Sequence, residues 1–333
     1  MKETSAKKIV VLGSTGSLGT QTLEVVKKYK KYFKIIGISA NENQKLLDKQ
    51  AKILKLRKNR KITVLKDGEK EILKLAGLKE ADIVVNVISG VGGIKPSMAA
   101  LQAGKKLILG NKESLVSEGK KLLKMPGEII PVDSEHNAIF EILKKFPEKK
   151  VKKITIPCSG GPFWNKNTEF LQKVRIKDVL KHPKWDMGKK ILVESATLIN
   201  KGLEIIEAHY LFKIPIDKIK VVIHPECLVH GMAEFSDGKK YAYISKPDMK
   251  EHIENALLYA AKIPSINRTI RELKPREYGF RSLAHKNLRG IKIVMKAFRG
   301  NPEKMKKFLG KEEKIIREFL AGKIKFLDIF KSL

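Results

Sequence analysis

Asp133 and Glu135 flank Ser134 in the stretch PVDSEHNAIF, residues 131–140, where an apolar run delivers two carboxylates to the start of a helical pattern. Side chains two apart in an extended segment point the same way, so this pair can converge on one hard cation. The same residues also suit an ordinary helix start, because an Asp or Ser ahead of an apolar-periodic run satisfies orphan N–H groups. On these residues alone both readings stand.

A second group lies in KILVESATLINKGLEIIEAHYLF, which reads as a short strand followed by a helix from about Ser195 to Phe212. At helical spacing Ile199, Leu203 and Ile206 share one face, while Asn200, Lys201 and Glu204 fall together opposite. The plain reading of that second face is a solvated surface with a Lys201–Glu204 ion pair. Three loops add chemistry. SGGPF offers the Ser159 hydroxyl and the backbone N–H groups of Ser159, Gly160 and Gly161 to an anion. HPKWDMG carries His182 and Trp185 next to Gly188, as a closing lid would. Ser195, placed at a helix N-terminus, is suited to holding phosphate.

A third element is GSTGSLG, with Gly13, Gly16 and Gly19 between a strand and a helix. Glycine there permits a tight turn and close approach of backbone to a pyrophosphate, whose charge the helix N-terminus attracts. The spacing is GxxGxxG rather than GxGxxG. No acid stands directly at the end of the second strand, where Ser39-Ala40-Asn41-Glu42-Asn43 follow, which favours NADP over NAD.

The elements that must position these groups are legible from periodicity. KIVVLGS, FKIIGISA, KITVL, ADIVVNVIS, KKLILG and GEIIPV read as strands, alternating with amphipathic helices, and predict an α/β fold with an N-terminal doubly wound Rossmann-like domain. Mixed strand and helix follow from about residue 134. Proline, arginine and short apolar pieces suggest a linker near AKIPSINRTIRELKPREYGF, and helical spacing resumes in IKIVMKAFRG, EKIIREFLAG and FLDIFKSL. The expected layout is residues 1–132 for nucleotide binding, 133–262 for catalysis with a flexible loop at 182–190, a linker at 263–283 and a small helical domain at 284–333.

With 333 residues and 42% hydrophobic content, the chain has enough apolar residues for more than one core. Cys158 and Cys227 lack metal-ligand spacing and read as reduced thiols, and the N-terminus enters a strand without a leader, so a cytoplasmic protein is expected. The formal charge of +33 comes from lysines scattered along every segment, which reads as a solvated surface that steers anionic substrates and not as a nucleic-acid arm. No apolar run is long enough to span a membrane. Two readings stand at this point: an NAD(P)-dependent dehydrogenase of a phosphorylated carbonyl, and a basic nucleic-acid-binding protein on a vestigial nucleotide fold.

Taken in order, GSTGSLG, LILGNKESLV, PVDSEHNAIF, SGGPF, HPKWDMGKKILVESATLINKGLEIIEAHYLF, IHPECLVHGM and KPDM resemble the 1-deoxy-D-xylulose 5-phosphate reductoisomerase family over most of residues 9 to 250. The resemblance implies an NADPH- and metal-dependent enzyme that rearranges and reduces 1-deoxy-D-xylulose 5-phosphate to 2-C-methyl-D-erythritol 4-phosphate, on the methylerythritol phosphate route to isoprenoids, as a homodimer. It implies that Thr15, Gly16, Ser17, Leu18, Asn41, Asn43, Asn111, Lys112, Glu113 and Gly188 bind the dinucleotide. Asp133, Glu135 and Glu204 would hold one Mg²⁺ or Mn²⁺. Ser134, Ser159, Ser195, Asn200 and Lys201 would hold substrate with His182, and Trp185 and Met187 would belong to the closing loop. Where the family typically carries Gly-Lys-Asn after the second strand, this chain has Asn41-Glu42-Asn43, and its C-terminal part is expected to be a trimmed helical domain.

Overall fold

The computed structural model describes residues 5–181, 187–264, 269–274, 277–283 and 288–333. The chain divides into two units, one of residues 1–114, 118–137 and 248–267, the other of 115–117, 138–247 and 268–333.

In the first unit, six strands form a wholly parallel sheet: β1 (Lys7–Leu12), β2 (Phe33–Ala40), β3 (Lys61–Thr63), β4 (Ile83–Asn86), β5 (Lys106–Leu109) and β6 (Glu128–Pro131), in the order β3-β2-β1-β4-β5-β6. The β-branched runs that mark these strands are the residues covered on both faces, with Ile9, Val10, Val11, Val84 and Val85 fully buried. The order reverses between β1 and β4, which opens a crevice beyond their carboxyl ends. Two features refine the reading of the sequence. KITVL is a strand only to Thr63, because Val64–Asp67 turns helical and the Asp67 carboxylate accepts the Thr63 N–H at 2.8 Å. The Met249–Ala260 helix, placed by the sequence reading in the catalytic region, belongs to this unit. Its Ile253, Ala256 and Leu257 join the core of the parallel sheet, where the helix packs against the Ser17–Lys28 helix, β5 and β6, and its Glu254 accepts from Tyr29 at 2.6 Å and Lys28 at 2.8 Å.

A mixed sheet organises the second unit: β7 (Val151–Cys158), β8 (Ile219–Ile223), β9 (Val229–Phe235), β10 (Lys240–Ile244) and β11 (Ile270–Glu272), ordered β11-β10-β9-β7-β8. Only β7 and β8 run parallel. β11 lies inside the stretch expected to be a linker, where its backbone completes the edge of β10. Helices Lys189–Thr197, Ile199–Phe212, Arg289–Phe298 and Pro302–Leu320 accompany the sheet. The Ile199–Phe212 and Arg289–Phe298 helices cross closely because Gly202 carries no side chain: a Cβ there would fall 2.8 Å from Val294 Cβ.

The segment expected to begin as a strand before Ser195 is instead the Lys189–Thr197 helix. Leu198, in the left-handed region at φ 58°, ends it and starts the next helix at Ile199. Ser195 therefore sits in the last turn of one helix and not at the N-terminus of another. The dipole argument for phosphate binding fails at that position, since a helix C-terminus repels anions.

Candidate active site

Backbone geometry builds the glycine loop. Gly13 takes φ +85° after β1, and the N–H groups of Gly13 and Ser14 both donate to Ser39 O at the end of β2, at 3.1 and 2.8 Å. A Cβ on Gly19 would lie 2.1 Å from Gly13 O and 2.6 Å from Ser14 Cα, so the Ser17–Lys28 helix packs directly onto the turn. Ser14 is clamped from beneath: its hydroxyl donates to Gln50 Oε1 at 2.7 Å and its carbonyl accepts from Gln50 Nε2 at 2.9 Å. No side chain caps this helix and no acid occupies its first turn, which leaves a positive end at Ser17 and Leu18 beside Thr15 and Gly16.

Beyond β2, Asn41 Nδ2 donates to Glu42 Oε1 at 3.1 Å, and Asn43 Oδ1 caps the Gln44–Ile53 helix through Leu46 N at 3.1 Å. Asn111 is fully buried and scaffolds the loops after β4 and β5. Its amide donates to Ile88 O at 2.9 Å, Gly90 O at 2.8 Å and Glu113 Oε2 at 2.9 Å, while Oδ1 accepts from Ser114 N at 3.0 Å.

At the end of β6, Asp133 immediately precedes the Ser134–Lys145 helix and accepts the Ser134 N–H at 3.2 Å, so it does take part in starting that helix. It does more. Lys112 forms an ion pair with its Oδ2, and His136 Nδ1 lies 3.5 Å from the same oxygen. Burial pushes the Asp133 carboxyl up, but the Lys112 charge and the His136 hydrogen bond outweigh it and hold the group well below the ordinary carboxylate range. Ser134 Oγ donates to Glu135 Oε2. Lys112 was expected at the cofactor, and its partnership with Asp133 was missed. His136 was missed too, although its position three residues after Asp133 at a helix start was visible.

In the second unit, the face of Asn200, Lys201 and Glu204 is not solvated. Lys201 and Glu204 are 3% and 1% exposed, which excludes the surface ion pair of the plain reading. The pair itself forms, deep inside, with Lys201 Nζ also donating to Pro157 O at 2.8 Å and Asn200 Nδ2 donating to the other Glu204 oxygen. Pro157 lies on β7, whose end leads into Ser159. There Gly160 and Gly161 take φ +87° and +69°, and Gly161 N donates to Ser159 Oγ at 3.1 Å. A Cβ on Gly161 would fall 2.7 Å from Ser195 O, so this loop is brought against Ser195. His224, which the sequence reading did not single out, fastens the same corner: its N–H donates to Cys158 O at 2.7 Å, and its Nε2 accepts from Leu228 N and Val229 N at 3.2 Å each.

Residues 9–119 match 1-deoxy-D-xylulose 5-phosphate reductoisomerase, residues 129–212 match the C-terminal domain of the same enzyme, and residues 244–333 match the DXP reductoisomerase C-terminal domain. The chain belongs to the 1-deoxy-D-xylulose 5-phosphate reductoisomerase family. The reductoisomerase of Thermodesulfovibrio yellowstonii is 38% identical over 345 residues, covering 98% of this chain and 91% of that one. That of Halothermothrix orenii is 46% identical over 279 residues, covering 78% of this chain and 73% of its own length. Among solved structures, a DOX-P reductoisomerase in complex with NADPH, fosmidomycin and magnesium superposes with a TM-score of 0.87 at 29% identity, covering 98% of this chain and 87% of that one. The Zymomonas mobilis enzyme in complex with NADPH gives 0.82 at 30% identity, covering 98% of this chain and 90% of its own.

Of the family positions expected to act in a closing loop, His182 and Trp185 lie outside the described residues. Met187 and Gly188 are described, and Gly188 O receives the first backbone bond of the Lys189–Thr197 helix, from Leu192 N at 3.1 Å.

Proposed function

We propose that this protein converts 1-deoxy-D-xylulose 5-phosphate to 2-C-methyl-D-erythritol 4-phosphate, using NADPH and one divalent cation. The observation that carries the proposal is a reductoisomerase relative that matches 98% of the chain.

The residues fit both groups. The turn at Gly13–Gly19 holds Gly13 at φ +85°, has no room for a Cβ at Gly19 and ends on an uncapped helix terminus, which suits a dinucleotide pyrophosphate. Asp133, Glu135 and Glu204 are hard oxygen donors suited to Mg²⁺ or Mn²⁺, and Asp133 is kept ionised by Lys112 and His136. When bound, the cation polarises the carbonyl and hydroxyl oxygens of the ketose phosphate, and NADPH supplies the hydride.

The chain's own residues bind, orient and enclose. Thr15, Gly16, Ser17 and Leu18 take the dinucleotide phosphates, with Asn41 and Asn43 at the adenosine end. Asn111, Lys112, Glu113 and Gly188 serve the nicotinamide half, Asn111 by fixing the loops after β4 and β5. Ser159, Ser195, Asn200 and Lys201 hold the substrate's phosphate and hydroxyls, with Ser134 beside the carboxylates. Lys201, anchored on Pro157 O, balances the Glu204 charge inside the fold. His182, Trp185 and Met187 close over the substrate and exclude water. Functionally, residues 1–132 serve the cofactor, 133–262 the chemistry, apart from the Met249–Ala260 helix that packs with the first unit, and 284–333 support, in a cytoplasmic homodimer. Among the described residues no helix is long and apolar enough to cross a membrane.

The test is product analysis with 1-deoxy-D-xylulose 5-phosphate and NADPH, with and without Mg²⁺ or Mn²⁺. A branched polyol phosphate formed only with metal is expected. Reduction without a change of carbon skeleton would replace the proposal by a simple dehydrogenase.

A further inference from the structure

The loop between β4 and the Ile94–Gln102 helix stands at the carboxyl end of the parallel sheet, across the switch point from the glycine turn. A doubly wound sheet is built from two mononucleotide-binding halves, one on each side of that point. With Asn41 and Asn43 at the adenosine end beyond β2, the β4 and β5 side falls to the nicotinamide nucleotide. Whatever fixes the β4 loop therefore fixes where the ring can lie.

Asn86, the last residue of β4, is fully buried, and both ends of its amide are occupied. Its Oδ1 accepts the Ile88 N–H at 3.2 Å, while Nδ2 donates to Gly93 O at 2.8 Å and to Ser97 Oγ at 2.7 Å. A backbone donor faces one end and a backbone acceptor the other, so only one orientation of the amide satisfies both. These bonds tie the start of the loop to its end. Asn111 grips the same loop from the β5 side through Ile88 O and Gly90 O, and a Cβ on Gly93 would lie 2.5 Å from Asn111 Cγ. The Ser97 and Ser114 hydroxyls meet at 2.9 Å and join the two asparagine groups.

The loop also walls the glycine turn. A Cβ on Gly13 would lie 3.0 Å from Val87 O and 3.1 Å from Ile88 N. The peptide whose N–H Asn86 holds is thus the one against which the Gly13 turn packs. We propose that Asn86 is a positioning residue for the coenzyme, setting the β4 loop that seats the nicotinamide half against the turn that takes the pyrophosphate. The identity of the coenzyme rests on the proposed function. An apolar residue at 86 would leave β4 itself intact, since Ile83, Val84 and Val85 are fully buried. It would strip the Ile88 N–H and Gly93 O of their partner, and peptide groups so stripped move to find another.

The test is calorimetric titration of the unsubstituted chain and of Asn86→Ala with two ligands. One is NADPH; the other is 2′,5′-ADP, which carries the adenosine half and no nicotinamide. NADPH should bind at least about 10-fold more weakly to the variant, with 2′,5′-ADP within about 2-fold of the parent. A merely structural role would weaken both alike, so equal losses would overturn the inference, as would an unchanged NADPH affinity. Should Asn86→Ala fold poorly, Ser97→Ala removes one acceptor of Nδ2 and spares both backbone bonds. It should weaken NADPH about 3-fold and leave 2′,5′-ADP unchanged, and parallel losses would again overturn the inference. An unsubstituted chain that bound neither ligand would remove the proposed coenzyme and this inference with it, a result distinct from parallel losses in a variant of a chain that binds both.

Discussion

Lys201 and Glu204, three residues apart on one helix, form an ion pair in which the side chains are only 4% and 1% exposed. A pair so deeply placed is costly to assemble and more costly to break, because removing one partner strands the other charge. Under the proposed function the Glu204 carboxylate, balanced by Lys201, would take a cation as a further partner.

Glu204→Gln tests this assignment. It preserves shape and the bond from Asn200 while removing the negative charge. Turnover should fall more than about 100-fold, as expected for loss of a metal-ligand carboxylate, with NADPH affinity within about 2-fold of the parent. Titration with Mn²⁺, followed by its paramagnetic signal, should show weakened metal binding. NADPH affinity falling in step with turnover would mean that Glu204 is not a dedicated ligand.

Gly19→Ala tests the dinucleotide turn. The new methyl would fall 2.1 Å from Gly13 O, where only backbone can give way. Overpacking of this kind costs about 1–3 kcal/mol, and moving the turn should weaken NADPH binding by about 10-fold or more. Calorimetric titration and thermal melting measure the two effects separately. A melting point and a coenzyme affinity both unchanged would show that the turn does not contact the coenzyme.

Glu42→Lys probes coenzyme choice. Glu42 is exposed just beyond β2, where acids favour an unmodified ribose and cations favour a 2′-phosphate. The substitution should tighten NADPH about 3- to 10-fold and leave or weaken NADH, a change consistent with one partly solvated ion pair. Equal shifts for both coenzymes would place the adenosine ribose elsewhere.

Glu234, on β9, accepts from Lys153 at 2.8 Å and Lys152 at 3.0 Å, with Lys240 at 3.6 Å. The Lys153 hydrogen bond, opposed by burial and reinforced by Lys152, holds its carboxyl down at about 2. A depressed carboxyl stabilises the fold fully above its unfolded value of 4.5, and the benefit disappears as pH falls from there through about 2. Because Lys152 and Lys240 are largely in solvent and Lys153 is partly so, Glu234→Gln should cost only about 1 kcal/mol at neutral pH. Urea midpoints of parent and variant should converge as pH is lowered from 7 toward 3. A gap that stays constant across that range would assign the loss to packing instead.

How far the sequence could be read depended on how local the cause was. The six strands of the parallel sheet and the glycine turn follow from runs of β-branched residues and from glycine spacing, signals carried within a few residues. The helix at Lys189–Thr197 was misread as a strand because KILVE is apolar in short range, and helix and strand are ambiguous at that length. Leu198 in a left-handed conformation has no sequence signature, since leucine is not a residue that favours it. The helical run from Lys189 together with this break at Leu198 puts Ser195 in a last turn.

By itself, then, the order of residues determined the doubly wound topology and the family, since both rest on local periodicity and on long motifs in a fixed order. Tertiary structure alone decided that Lys201 and Glu204 are enclosed, that Lys112 and His136 keep Asp133 ionised, and that the Met249–Ala260 helix packs against β5, β6 and the Ser17–Lys28 helix. Each of those depends on burial and on charges brought close by segments far apart in the chain, and neither is a property that spacing along a sequence can express.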